Sequence, residues 1–256
     1  MTQQNPSAEN RTEPQAAGLA EPRRLQVWDL GRRAYRPVWD LQKQLHQLRV
    51  QTRIPDTLLF VEHEPVYTIG KNGTDLHVIA TEQYLQRQGI EVVHVDRGGD
   101  VTYHGPGQLV GYPIFNLRFH RTSISWFMRT LEAVFIEALQ HWGIQAQRMD
   151  GYTGVWVGED KIVAMGVRIA RWTTMHGFAF NVNTRLEHFS GIIPCGIFHR
   201  GVTSLEQLLG RKLYMAEVKQ VVLKAIQNQF GFQEVDFAAG WPELEALDDA
   251  ANPATD

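Results

Sequence analysis

Three strand-like runs follow one another between Thr153 and Val182, and they leave the chain little freedom. Thr153 to Val157 and Lys161 to Ala170 are apolar, alternating, and separated only by Gly158-Glu159-Asp160. Parallel neighbours need a long crossover, so a connection this tight predicts an antiparallel hairpin. Met175 to Val182 reads as a third strand that can return the chain to the same edge. Gly177 and Ala179 leave one of its faces open for a bound chain.

Periodicity places the other elements around this hairpin. Leu25 to Leu30 alternates like a half-buried strand. From Tyr35 to Val50, residues Val38, Leu41, Leu45 and Leu48 share one helical face, and Pro37 suits the first turn. Thr57 to Val61, Val66 to Ile69, Glu91 to Val95 and Leu109 to Leu117 read as strands. Thr122 to Trp142 is the clearest helix, capped by Thr122 or Ser123 and ended by Gly143. Its apolar stripe is core. A short helix is predicted over Thr203 to Leu209 and a final one over Ala216 to Phe230, stopping at Gly231.

The ends differ from the middle. Residues 1–22 carry hardly any large apolar side chains and are expected to be disordered. Residues 241–256 form an acidic tail, also expected to be disordered and solvated. Residues 23–240 are then one folded domain. A formal charge of −3 gives no electrostatic case for nucleic acid or an anionic membrane. The start of the chain lacks an apolar signal segment, and no run approaches the roughly 20 apolar residues of a membrane span. With a single cysteine, this points to a cytoplasmic protein.

That cysteine, Cys195, sits between Pro194 and Gly196, after Ile192 and Ile193. A lone thiol either packs as a small hydrophobe or does chemistry. A nucleophilic thiol must be ionised, so a nearby base or cation is needed. Lys161, His104, His176, His199 and Arg200 are candidates, and spacing does not choose among them. The other notable stretch runs from Arg97 to Gln108. Its glycines stand among Arg97, Asp100, Thr102, Tyr103 and His104, as a pocket wall requires. Gly70-Lys71-Asn72-Gly73 lacks the full phosphate-loop pattern, so nucleotide binding is discarded on that ground. His63 between two glutamates has no second ligand at metal spacing and is read as a hydrogen-bonding residue. No metal site is expected.

Four stretches, RGGDVTYHGPGQLVGYPIFNL, GVWVGEDKIVAMGVRI, HGFAFNVN and IIPCG, together resemble the lipoyl (octanoyl) acyl-carrier-protein:protein transferases. The likeness runs from about Leu25 to Phe230. It implies an α+β fold, a mixed or antiparallel sheet with packed helices, similar to biotin and lipoate ligase catalytic domains. It implies that Cys195 carries the acyl group as a thioester and that Lys161 tunes the cysteine and moves protons. It also implies substrate-binding segments at Arg97, Gly98, Gly99, Asp100, Val101, Thr102, Tyr103 and His104, at Ala164, Met165 and Gly166, and at Gly177, Phe178 and Ala179. Ala164 stands where many members have serine.

The donor implied is octanoyl-acyl carrier protein. The acceptors are lysines of lipoyl domains in 2-oxoacid dehydrogenase complexes and of the glycine cleavage H protein. No cofactor, ATP or metal is required, and the enzyme is expected to act as a monomer. The amide of Gly196, beside the nucleophile, is the oxyanion candidate. The acyl chain is expected to follow a tunnel left by missing side chains at Gly98, Gly99, Gly166, Gly177 and Ala179. An ATP-dependent ligase and a non-enzymatic acyl-binding module are the competing readings. The first is discriminated by ATP dependence, the second by the absence of a covalent intermediate.

Overall fold

A computed structural model describes residues 23–193 and 201–243. The first strand, β1 (Arg24–Arg33), buries Leu25, Val27 and Leu30. Helix α1 (Tyr35–Val50) has the predicted bounds and buries Val38, Leu41 and Leu45. Two nearly all-buried strands follow, β2 (Asp56–His63) and β3 (Val66–Ile69). Helix α2 (Glu82–Gln88) is capped by Thr81, whose side chain accepts from Tyr84 N–H, and stops at left-handed Gly89. Strands β4 (Glu91–His94), β5 (Val101–His104) and β6 (Gln108–Ile114) come next.

Helix α3 (Ile124–Gln140) is capped by Ser123 and buries the expected stripe through Phe127, Leu131, Val134 and Phe135. Strand β7 (Gln147–Met149) precedes the predicted hairpin, β8 (Tyr152–Val157) and β9 (Asp160–Ala170). Strand β10 (Thr173–Asn181) follows a tight turn in which Arg171 and Trp172 both have positive φ. That is the twist a two-residue hairpin favours. Helices α4 (Leu205–Leu209) and α5 (Met215–Phe230) and strand β11 (Glu234–Ala239) complete the chain.

The main sheet has the order β11-β1-β2-β6-β10-β9-β8-β7. It is mixed: β1 runs parallel to β2 and β11, and the other pairs are antiparallel. A second sheet, β4-β3-β5, stands apart. Alternation along the strands divides the core. Leu58 and Phe60 of β2 and Phe178 and Phe180 of β10 join α3 and α5 in one cluster. Leu59, Val61, Val110 and Ala179 join α1 in another. Tyr67, Ile69, Val101 and Tyr103 form the core of the small sheet. No helix among the described residues is long and apolar enough to cross a membrane.

Candidate active site

A cavity of about 580 Å³ opens between the glycine-rich segment, strands β9 and β10, and the start of α1. That volume lies in the range of small-molecule sites. Of the expected site residues, 97–102, His104, Lys161, 164–166 and 177–179 all line it. Tyr103 does not. Its ring packs in the small sheet against Tyr67, His188 and Phe189, where burial pushes its hydroxyl up to about 12. Thr102 and His104, its neighbours along β5, face the other way and do line the cavity. Cys195 and Gly196 lie outside the described residues. Phe189 and Gly201, on either side of that segment, both line the cavity.

The glycine-rich segment is held by backbone bonds rather than by packing. Gly70, Lys71 and Asn72 donate their N–H groups to the carbonyls of Asp100, Arg97 and Gly99 at 3.0–3.1 Å. The Gly-Lys-Asn-Gly run is therefore a brace for the pocket wall. Gly98 N–H bonds Val167 carbonyl at 2.9 Å, docking the wall onto β9.

These contacts correct the tunnel expectation. A Cβ on Gly166 would meet Gly98 carbonyl oxygen at 2.8 Å and Arg97 Cδ at 3.2 Å. A Cβ on Gly177 would collide with the Gly111 carbonyl and Pro113 on the neighbouring strand. Both glycines let backbones approach closely instead of leaving an open channel.

Burial keeps several histidines and tyrosines in and behind the cavity wall neutral. His63 donates from Nδ1 to Arg33 carbonyl at 3.1 Å and accepts at Nε2 from the Tyr112 hydroxyl at 2.7 Å. Full burial lowers it to about 4, so it is the hydrogen-bonding residue its sequence context suggests. Burial also holds His104 well below its ordinary value, and raises Tyr35 and Tyr112.

His176 sits mid-strand with φ 57°, and its N–H is taken by Gln42 Oε1 at 2.9 Å. Its Nε2 meets Asp96 Oδ1 at 2.8 Å, while Arg168 holds the other Asp96 oxygen at 3.1 Å. Burial lowers His176 despite that carboxylate, and the hydrogen bond from His176 lowers Asp96 to about 2.

Among the described residues, the arginine and lysine that line the cavity are Arg97, which donates to Thr68 carbonyl at 2.7 Å, and Lys161. Lys161 Nζ lies 4.7 Å from the centroid of the buried Trp156 ring. Its backbone pairs with the returning chain: Lys161 N–H to Gly201 carbonyl and Thr203 N–H to Lys161 carbonyl, both at 3.1 Å. This places Lys161 at the end of the cavity where the chain re-enters after Cys195.

Sequence reasoning missed Tyr35, Tyr112, Trp156 and Asn181 as cavity residues, and took Gln108 only as the end of the glycine-rich stretch. Gln108 and Asn181 carried a usable signal: an amide inside an otherwise apolar strand must find partners when buried.

Residues 34–227 match the family described as lipoyl protein ligase A/B catalytic domain. An octanoyltransferase of Caldicellulosiruptor bescii is 49% identical over 209 residues, covering 81% of this chain and 90% of its own. The chain belongs to the octanoyltransferase family. It is accordingly an acyltransferase, and its relatives share the fold even where sequence has diverged. A crystal structure of lipoate-protein ligase A bound with ATP superposes with TM-score 0.67 at 16% identity, over 90% of this chain and 94% of that one. A biotin protein ligase from Aquifex aeolicus in complex with biotin and ATP gives 0.51 at 17% identity, over 80% and 70%. The α+β architecture expected from the sequence is the one found.

Proposed function

We propose that the protein transfers an octanoyl group from octanoyl-acyl carrier protein to a lysine of lipoyl domains, through a thioester on Cys195. Octanoyl transfer is the activity named for its relatives. The observation that carries the covalent route is the convergence of Lys161 and both described flanks of the Cys195 segment on one cavity. A cavity with this many neutral and apolar side chains suits a saturated acyl chain.

In the first step the Cys195 thiolate adds to the thioester carbonyl. The tetrahedral species collapses, the carbonyl re-forms, and the carrier's thiolate leaves and takes the proton of the Lys161 ammonium, which leaves that amine neutral. A free thiol titrates near 8.5, and the Lys161 ammonium favours its ionisation. In the second step a lysine amine of the lipoyl domain attacks the enzyme thioester. That amine is mostly protonated at neutral pH and gives one proton to solvent before it attacks, and neutral Lys161 accepts the second as the amide forms. Cys195 leaves as thiolate and the product is an amide. The Gly196 amide is the backbone donor nearest in sequence to the reacting sulfur. The acceptors are lipoyl domains of 2-oxoacid dehydrogenase complexes and the glycine cleavage H protein. The enzyme works as a cytoplasmic monomer.

The test is turnover without nucleotide. Octanoyl-carrier protein plus a lipoyl domain should yield octanoyl-lysine with no ATP present. Modification that requires free octanoate and ATP would replace this reading with a ligase.

A further inference from the structure

A chain of hydrogen bonds runs beneath the cavity, and every donor in it faces the same way. It starts at Arg97, only 7% exposed, whose Nη2 donates to Thr68 Oγ1 at 2.9 Å. The Thr68 hydroxyl lies 3.4 Å from His104 Nε2. The other His104 nitrogen, Nδ1, is 2.8 Å from Gln108 Oε1, an oxygen that only accepts. The imidazole proton is therefore on Nδ1, and Nε2 accepts from Thr68. Gln108 cannot be reversed either, because its Nε2 donates to Tyr103 carbonyl at 3.1 Å. The second Nε2 proton goes to Asn181 Oδ1 at 3.0 Å.

Asn181 is thus pinned with its oxygen toward Gln108 and its amino group turned the other way. It is 4% exposed and lines the cavity, and its Nδ2 has no hydrogen-bond partner among the described residues. Nδ2 keeps contact with the cavity space, so it can donate to a group that enters there. Its position in the sheet says what that is. Phe180 pairs with Val163, so Asn181 is one step further toward Lys161 and the returning residues Gly201 to Thr203.

We propose that Asn181 Nδ2 donates to the carbonyl oxygen of the acyl thioester, and that Arg97, Thr68, His104 and Gln108 orient and polarise it. This rests on the acyl-transfer reading above. When a nucleophile adds to the thioester, the carbonyl oxygen becomes an anion. A fixed N–H aimed at it binds that anion more strongly than it binds the ground-state carbonyl. Aligned bonds polarise one another, and a permanent cation at the head of the chain acts in the same direction. Asn181 is then a catalytic residue, and the other four are positioning residues.

The test compares wild type, Asn181→Asp and Asn181→Ala in octanoyl transfer from carrier protein to a lipoyl domain. The aspartate variant keeps the side-chain volume and the acceptor oxygen but loses the donor. Both variants should lose about 10²-fold in kcat, as removal of one oxyanion donor does, with either KM moved less than about threefold. A kcat within about threefold of wild type in a folded Asn181→Asp protein overturns the assignment, as does a loss confined to KM. A measurement on wild type alone guards against variants that do not fold. The stretch of a ¹³C-labelled thioester carbonyl should lie lower on the native enzyme than on the same protein unfolded, and coincidence of the two overturns it. A wild type that transfers no octanoyl group sinks the parent reading, and this one with it. That outcome is distinct from a competent wild type matched by its variants.

Discussion

The aromatic core beneath α3 and α5 and the polar wall of the cavity are built on opposite plans. Under α3 and α5, Phe135 packs edge to face on Phe178 and Phe180, and Phe115 meets Phe127 and Phe230 in the same way. In the cavity wall, His104, Gln108, Arg97 and Asn181 are buried too, but each is tied to a hydrogen-bond partner. The first contributes stability through apolar area and packing. The second gives up part of that to hold polar groups in fixed directions. Substitutions should therefore separate the two: the dry core sets how well the chain folds, and the polar wall sets what it does.

The largest effect that would break this division comes from Lys161. Lys161→Ala should lower octanoyl transfer by roughly 10²- to 10⁴-fold, the range for a lost acid–base group, and leave the unfolding midpoint nearly unchanged. A parallel loss of stability would put Lys161 in the structural class instead.

In the aromatic core, Phe127→Ala should cost about 3–5 kcal/mol in urea unfolding, the usual cost of emptying an aromatic core site. The remaining folded fraction should keep its KM. A shifted KM with intact stability would mean that core and wall are not separable.

Gly166→Leu sharpens the boundary, because Gly166 touches both the strand and the pocket wall. The added side chain must displace Gly98 and Arg97, costing about 1–3 kcal/mol by overpacking and disturbing the wall. Activity should fall for short acyl chains as much as for long ones. Selective loss of long chains alone would restore the tunnel picture.

The smallest effect is in the pH dependence. The unfolded chain protonates its histidines near 6.5, but buried His63 does so only near about 4. Its contribution is complete above about 6.5 and is lost as the pH falls toward about 4. Wild-type stability should decline from pH 7 to pH 5, and His63→Gln should flatten the decline. A wild-type profile flat over that interval contradicts the neutral, buried assignment.

The sequence made the local elements plain. α1 follows from its apolar spacing, α3 from its cap and stripe, and β8 and β9 from the Gly158 turn. It left β11 (Glu234–Ala239) unread, because EVDFAA is acidic and mostly exposed, and its partner β1 lies at the far end of the chain. Strand β5 was hidden inside a stretch whose glycines suggested loop. The pocket wall itself was legible, since glycines interleaved with polar groups have few other uses. What the glycines do there was not. Their purpose depends on Gly98 meeting Val167 and Gly177 meeting Gly111, which are contacts between distant segments. Asn181 was passed over for the same reason: its role is set by Gln108, across the sheet.

The central claim is a covalent octanoyl-enzyme on Cys195, and intact-protein mass tests it most directly. Wild type and Cys195→Ser are mixed briefly with octanoyl-carrier protein, without ATP. Wild type should gain one octanoyl group that hydroxylamine removes and a lipoyl domain discharges, and the serine variant should carry no such thioester. A wild type that never acquires the adduct, while the lipoyl domain is still modified, would contradict the account.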